Sequence, residues 1–248
     1  MCDSKPSRST TLETTADREI RAGNKRKILK AASEVFAAKA PSDEPPKGQI
    51  RQANEALILG AAERVFARSG FNGATMAEIA DEAGLPKPNL HYYFGNKSAL
   101  YRAVLARTLQ DWLVPIDRIT PDADPRAALE GYIRDKMALS AQRPDASRVF
   151  ANELLHGAPV FGELLRTQLR RLVRSKAAVI DRWIAEGRMA PVDSTHLLFT
   201  LWAATQTYAD FDVQMRAVLG RSKLRAEDHA RATEHVVSLL LRGCGLAE

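Results

Sequence analysis

The chain has 248 residues, 45% of them hydrophobic, with 36 Lys/Arg against 30 Asp/Glu, an ordinary globular composition with room for one large domain or two modest ones. An aromatic content of 6% and only 14 Gly favour helix over a β-sandwich. No apolar run approaches the ~20 residues that span a bilayer, the N-terminus lacks an apolar export stretch, and Cys2 and Cys244 at opposite ends suggest neither a disulfide framework nor a metal site, so a cytoplasmic protein without cofactor or membrane partner is expected.

The net charge of +6 leans toward an anionic partner, but it is unevenly spread. Residues 1–50 hold 10 basic and 7 acidic residues, and residues 51–97 hold 5 and 5. Residues 1–20, rich in Ser, Thr and charge, have the composition of a disordered segment. Residues 25–39 predict an amphipathic helix with Ile28, Ala31, Ala32, Val35 and Phe36 on one face, ended by the Pro-rich stretch Ala40–Gly48. Residues 51–69 repeat that pattern: Ile58, Ala61, Ala62, Val65 and Phe66 stand thirty positions after the same residue types. This is a partial duplication of one helix, and the first copy admits two readings. It is either a loosely docked remnant or a basic arm, since Arg21, Lys25, Arg26, Lys27 and Lys30 fall in ten residues without an acid.

From residue 75 the chain reads helix after helix. Thr75-Met76-Ala77-Glu78 is a capping box. The helix it opens runs to Ala83, and Gly84 permits the positive φ of a tight turn. A short helix spans 86–93, and Asn96-Lys97-Ser98 opens a long one to about Ile119. Further helices are expected at 125–142, 146–156, 160–187, 193–219 and 227–242, with no alternating strand pattern, so the fold class is all-α. Two short helices, a Gly turn and a second helix whose first residues reach out form a helix-turn-helix. On the second helix Leu90 and Phe94 point inward, and Lys87, Asn89, His91 and Tyr92 outward. Lys and Asn suit guanine and adenine edges. His91, Tyr92 and Tyr93 suit phosphate or methyl contacts, Thr75 a phosphate at a helix N-terminus, and Lys97 another. Because the segment is locally neutral, recognition rests on these residues and not on bulk charge.

Ile58-xx-Ala61-Ala62-xx-Val65-Phe66-xxx-Gly70-Phe71-xx-Ala74-Thr75-xxx-Ile79-Ala80-xx-Ala83-Gly84, followed by Tyr92-Tyr93-Phe94-xx-Lys97-xx-Leu100, closely resembles the TetR/AcrR regulators. Pro86 and Pro88 depart from the usual pattern but are tolerated in a first helical turn. The resemblance implies a homodimeric repressor on a palindromic DNA operator: an extension at 1–50, a DNA-binding domain at 51–100 and an effector and dimerisation domain at 101–248. The rest of the chain resembles the RutR-type subgroup, through Asp111-Trp112-Leu113-xx-Pro115, Glu153-xxx-Gly157-Ala158-Pro159, Ala190-Pro191-xx-Asp193 and Leu201-Trp202-Ala203-xx-Thr205-Gln206-xx-Tyr208-Ala209-Asp210-Phe211. That subgroup responds to uracil and thymine.

The residues make independent sense. Trp202, Gln206 and Asp210 are spaced i, i+4, i+8 on one helical face, and Gln offers a donor and an acceptor to a cyclic imide. Trp112 closes the expected pocket, with Tyr208 beside it. His156 replaces the small residue of the subgroup pattern, which keeps open a different, larger apolar effector of the multidrug type. Leu197, Leu201 and Tyr208 on one helix, with Val236 and Leu240 on another, are expected at the dimer interface. Arg166, Arg170 and Arg174 read as a solvated face. No catalytic motif is present, and the five His are scattered.

Overall fold

A computed structural model describes residues 48–246, which form helices and no strand. The first copy of the duplicated helix, its basic run and the Pro-rich linker lie outside the described residues. α1 (Gly48–Gly73), α2 (Met76–Ala83), α3 (Lys87–Phe94) and α4 (Lys97–Leu113) come first. The four-residue recurrence along α1 becomes its buried stripe: Ile58, Ala61, Ala62, Val65 and Phe66 are at most 1% exposed, and Ile79, Ala80, Leu90 and Leu100 at most 2%. Gly70 breaks α1 with φ 67 and ψ 175, a left-handed backbone that glycine adopts without a Cβ penalty. Beyond it, Phe71 packs on Tyr101 with ring centroids 4.9 Å apart.

A proline and two distortions of the backbone cut three of the expected long helices. α4 stops at Leu113, and Pro115 opens a 3₁₀ turn, Pro115–Arg118, because proline has no N–H to continue the ladder. α5 (Pro125–Gln142) and α6 (Pro144–Leu155) follow. The helix expected at 160–187 is α7 (Gly162–Leu164), a π turn (Leu165–Leu169) and α8 (Arg170–Ala185). The one expected at 193–219 breaks at Phe211, with φ −117 and ψ 33, into α9 (Ser194–Asp210) and α10 (Asp212–Leu219). α11 (Ala226–Gly243) closes the chain.

α5, α8, α9 and α11 enclose a second core containing Tyr132, Ile133, Ile180, Trp183, Leu198, Leu201, Val236 and Val237. This core takes in most of the expected dimer residues. Leu197, Leu201 and Val236 are 9%, 1% and 4% exposed and belong to that core, while Tyr208 and Leu240 are partly buried against it. A helical stripe shows that residues are buried, not whether the neighbour is the same chain or a partner. The apolar side chains that the same helices leave in solvent are Phe199 and Leu239, 47% and 61% exposed.

α4 connects the two cores. Near its start Lys97 Nζ donates to Asn72 O at 3.3 Å and Ala74 O at 2.9 Å, and Tyr101 packs edge-on against Phe66 at 5.0 Å. The Tyr101 hydroxyl donates to Glu153 Oε2 on α6 at 3.2 Å. Near the end of α4, Asp111 pairs with Arg143, which also pairs with Glu63 of α1. At a rise of 1.5 Å per residue α4 is about 25 Å long, a lever with one end in each core.

Candidate nucleic-acid interface and effector site

The outward side chains of α2 and α3 form the candidate nucleic-acid interface. Thr75 caps α2 as its sequence demands: Glu78 N donates to Thr75 Oγ1 at 3.1 Å, and Thr75 N and Oγ1 donate to Glu78 Oε2 at 2.8 and 3.0 Å. Both Thr75 donors are thus taken up by Glu78, so an anion at this terminus meets the next backbone N–H groups, of Met76 and Ala77. Gly84, at φ 65, ends α2 in the left-handed conformation, and α3 starts after Pro86. Lys87 is exposed and Asn89 half-buried in the first turn of α3. Tyr92 is 63% exposed and stands edge-on to Tyr93 at 5.2 Å.

Three more of the expected DNA contacts have internal partners. His91 is exposed, but its Nδ1 lies 2.8 Å from Gly95 O, which leaves Nε2 for an outside partner. Tyr93 is half-buried, and its hydroxyl accepts from Asn54 Nδ2 at 3.1 Å. Lys97 is drawn back over the Phe71 ring, 4.7 Å from the centroid, and onto the carbonyls that end α1. Its charge serves a helix C-terminus, where cations are favoured.

The candidate effector site has at its centre a residue that the sequence reading missed. Trp112, at the end of α4, is 9% exposed and meets Phe150 of α6 edge-on at 4.8 Å. Over its ring, 3.8 Å from the centroid, sits Lys136 Nζ of α5. Lys136 is 1% exposed. Burial pulls its ammonium down to about 7, against the opposing pull of Asp210. Two hydrogen bonds fix the register of α5 on α9: Trp202 Nε1 donates to the Tyr132 hydroxyl at 2.7 Å, and Ser140 Oγ donates to Thr205 O at 2.8 Å. Lys136 lies midway between Tyr132 and Ser140 on that face.

Of the i, i+4, i+8 face of α9, Asp210 acts on Lys136, which stacks on Trp112. Trp202 is half-buried, but its N–H is already bonded to Tyr132, so it offers a wall and not a donor. Asp210 accepts from Ser147 Oγ of α6 at 2.6 Å, and burial pushes its carboxyl up while Ser147, Lys136 and Arg148 hold it down. Gln206 is half-buried, and its side chain makes no hydrogen bond among the described residues. Tyr208 stands about 120° round the helix from Trp202 and packs on the second core. The buried Lys136 had one signal in the sequence: Tyr132, Lys136 and Ser140 recur at i, i+4, i+8 on the apolar side of α5. His156 is exposed, with Nδ1 2.8 Å from Asn152 O.

Among the described residues no helix is long and apolar enough to cross a membrane. Residues 58–104 match the profile of bacterial regulatory proteins of the tetR family, and residues 105–247 that of the YcdC-like C-terminal region. The HTH-type transcriptional regulator RutR of Escherichia coli K12 is 43% identical over 192 residues, 77% of this chain and 90% of that protein. BetI of Burkholderia mallei, also an HTH-type transcriptional regulator, is 27% identical over 164 residues, 63% of this chain and 84% of that one. A TetR-like regulator from Rhodococcus sp. RHA1 superposes with a TM-score of 0.56 at 21% identity, covering 83% of this chain and 98% of that one. AibR in complex with isovaleryl coenzyme A and operator DNA superposes at 0.57 and 17% identity, over 75% and 97%. With both profiles filled and a RutR identity of 43%, the chain belongs to the TetR family of helix-turn-helix transcriptional regulators, and not to an enzyme family.

Proposed function

We propose that the protein is a cytoplasmic homodimeric repressor whose operator binding is controlled by a small planar effector of the uracil and thymine type, bound among Trp112, Trp202, Gln206 and Asp210. The convergence of α4, α5, α6 and α9 on one buried polar cluster beside Trp112 carries this reading. A pocket for a large apolar effector would be lined by apolar side chains, whereas a buried ammonium and an unbonded amide suit a small ligand rich in carbonyl oxygen. The domain division is that of residues 51–100 for DNA and 101–248 for effector and partner.

Lys87 and Asn89 are the base-reading candidates. His91 Nε2, Tyr92 and the N-terminus of α2 are the backbone contacts, with Tyr93 and Lys97 holding the helices that present them. The partner face is that of Phe199 and Leu239. A dimer sets two α3 helices into major grooves roughly 34–36 Å apart. An effector against Trp112 tilts α4 and alters that spacing, and a few kcal/mol of differential affinity suffice.

Fluorescence anisotropy on an operator selected with the full chain tests the reading. Two chains per operator and release by uracil or thymine are expected. Affinity indifferent to both pyrimidines removes the effector assignment, and one chain per operator removes the dimer.

A further inference from the structure

The hydrogen-bonding inventory of the effector cluster is lopsided. Lys136 brings three N–H donors and no acceptor, in a side chain 1% exposed. Its Nζ makes no hydrogen bond and no ion pair within 4 Å among the described residues, and its neighbours are the Trp112 face and the more distant charge of Asp210. The nearby acceptors each hold another partner, Asp210 from Ser147, Thr205 O from Ser140 and the Tyr132 hydroxyl from Trp202, and none of them is hydrogen-bonded to Lys136. The Trp112 indole N–H and the Gln206 amide N–H also have no acceptor among the described residues. Gln168 Oε1 is the one side-chain polar atom among the described residues that is wholly buried without a partner, so these three donors keep a route to solvent, and an acceptor entering there gains hydrogen bonds that the protein does not supply.

We propose that Lys136 is the specificity-determining residue of the effector site, its ammonium receiving an acceptor oxygen of the effector: a carbonyl of a cyclic imide or the oxygen of a small carboxylate. The inference rests on the reading that the effector lies against Trp112 and Gln206. An apolar molecule of equal size leaves Lys136 unsatisfied and is rejected, because a site built to hydrogen-bond discriminates against ligands that cannot. Binding is coupled to protonation. Around Lys136 stand Asp210 from α9 and, through Asp210, Arg148 from α6; on α4, Asp111 is committed to Arg143. With Lys136 largely neutral above pH 7, an oxygen placed on Nζ raises its proton affinity, and the complex takes up a proton.

Isothermal titration of the full chain tests this with four probes: uracil, thymine, benzoate and toluene. Wild type is compared with Lys136→Met, which keeps the length of the side chain, and Lys136→Gln, which keeps an uncharged donor. Circular dichroism and melting verify the fold. Lys136→Met melts no lower than wild type, since it replaces a buried amine that has no hydrogen-bond partner by an apolar side chain. For whichever oxygen-bearing probe binds, Lys136→Met weakens it about 10- to 100-fold, the loss of one hydrogen bond to a charged group, and Lys136→Gln falls between. At pH 8 the binding enthalpy of wild type varies with buffer ionisation, reporting proton uptake, and that of Lys136→Met does not. Binding of benzoate but of neither pyrimidine, abolished by Lys136→Met, keeps the role of Lys136 and removes the pyrimidine reading. Pyrimidine binding that survives Lys136→Met within threefold overturns the role and leaves that reading intact. Toluene binding as tightly as uracil overturns the role, and no binding by any probe overturns both.

Discussion

The two ends of α4 are built differently. At its start it packs on the helix-turn-helix: Lys97 reaches the end of α1 and Tyr101 packs on Phe66 and Phe71, while the capping box and Gly84 turn of α2 close within a few residues. At its end, Trp112 meets Phe150 and Lys136, and Asp111 meets Arg143, from helices remote in sequence. The end that carries the candidate DNA-reading residues presents polar groups outward. The end at the candidate effector site turns polar groups inward. Regulation needs the second to bias the first, and the groups that tie both ends are therefore the ones to break.

Arg143 is the largest such group. Its guanidinium bridges Glu63 on α1 and Asp111 on α4, with Nε 3.4 Å from Glu63 Oε2 as a further contact. Glu63 is 6% exposed. Arg143→Met leaves that carboxylate buried without its cation, which costs about 3–5 kcal/mol when the pair is fully buried. Because the Arg143 side chain keeps 20% exposure, the lower end is expected in chemical denaturation. Glu63→Gln in the same background recovers most of it. In effector titrations Arg143→Met binds uracil as wild type does but releases operator less steeply. Unaltered release would mean that α4 transmits without α1.

Asn89→Ala gives the next effect and is confined to the other end. One bidentate base contact carries about 1–3 kcal/mol of discrimination, so operator affinity falls about 10- to 100-fold. Uracil affinity and melting temperature stay at wild-type values. A loss that is equal on operator and on scrambled duplex would make Asn89 a backbone contact.

This contrast also explains what was legible in the sequence. Periodicity reports burial relative to a helix axis, so the α1 stripe, the Thr75 cap and the Gly84 turn could be read directly. It does not name the neighbour across the stripe, which is why Leu197, Leu201 and Val236 read as interface when they are core. Nor does residue type report burial. A lysine in Tyr-Ile-Arg-Asp-Lys-Met reads as solvated, and only the packing of α4 and α9 on α5 makes Lys136 interior. Trp202, Gln206 and Asp210 could be grouped because they share one helical face. Lys136, which stacks on Trp112 and acts on Asp210, is on a different helix, and no spacing rule joins it to them.

The smallest predicted effect separates local architecture from DNA contact at the start of α2. Thr75→Ala removes the N-cap and costs about 1 kcal/mol of stability, whether or not a phosphate sits there. Glu78→Gln retains the capping geometry, since either side chain completes the box, but removes a negative charge from the surface that would face the phosphate. Its stability is expected to change by less than that of Thr75→Ala, while operator affinity rises about two- to fivefold at low salt and converges on wild type as salt screens the charge. An unchanged affinity at every salt concentration would place the phosphate elsewhere and leave Thr75 as a cap alone. A gain that disappears with salt would show that Glu78 holds the α2 terminus closed in the free protein and yields it to the operator, so that the residue that orders the motif also moderates its grip.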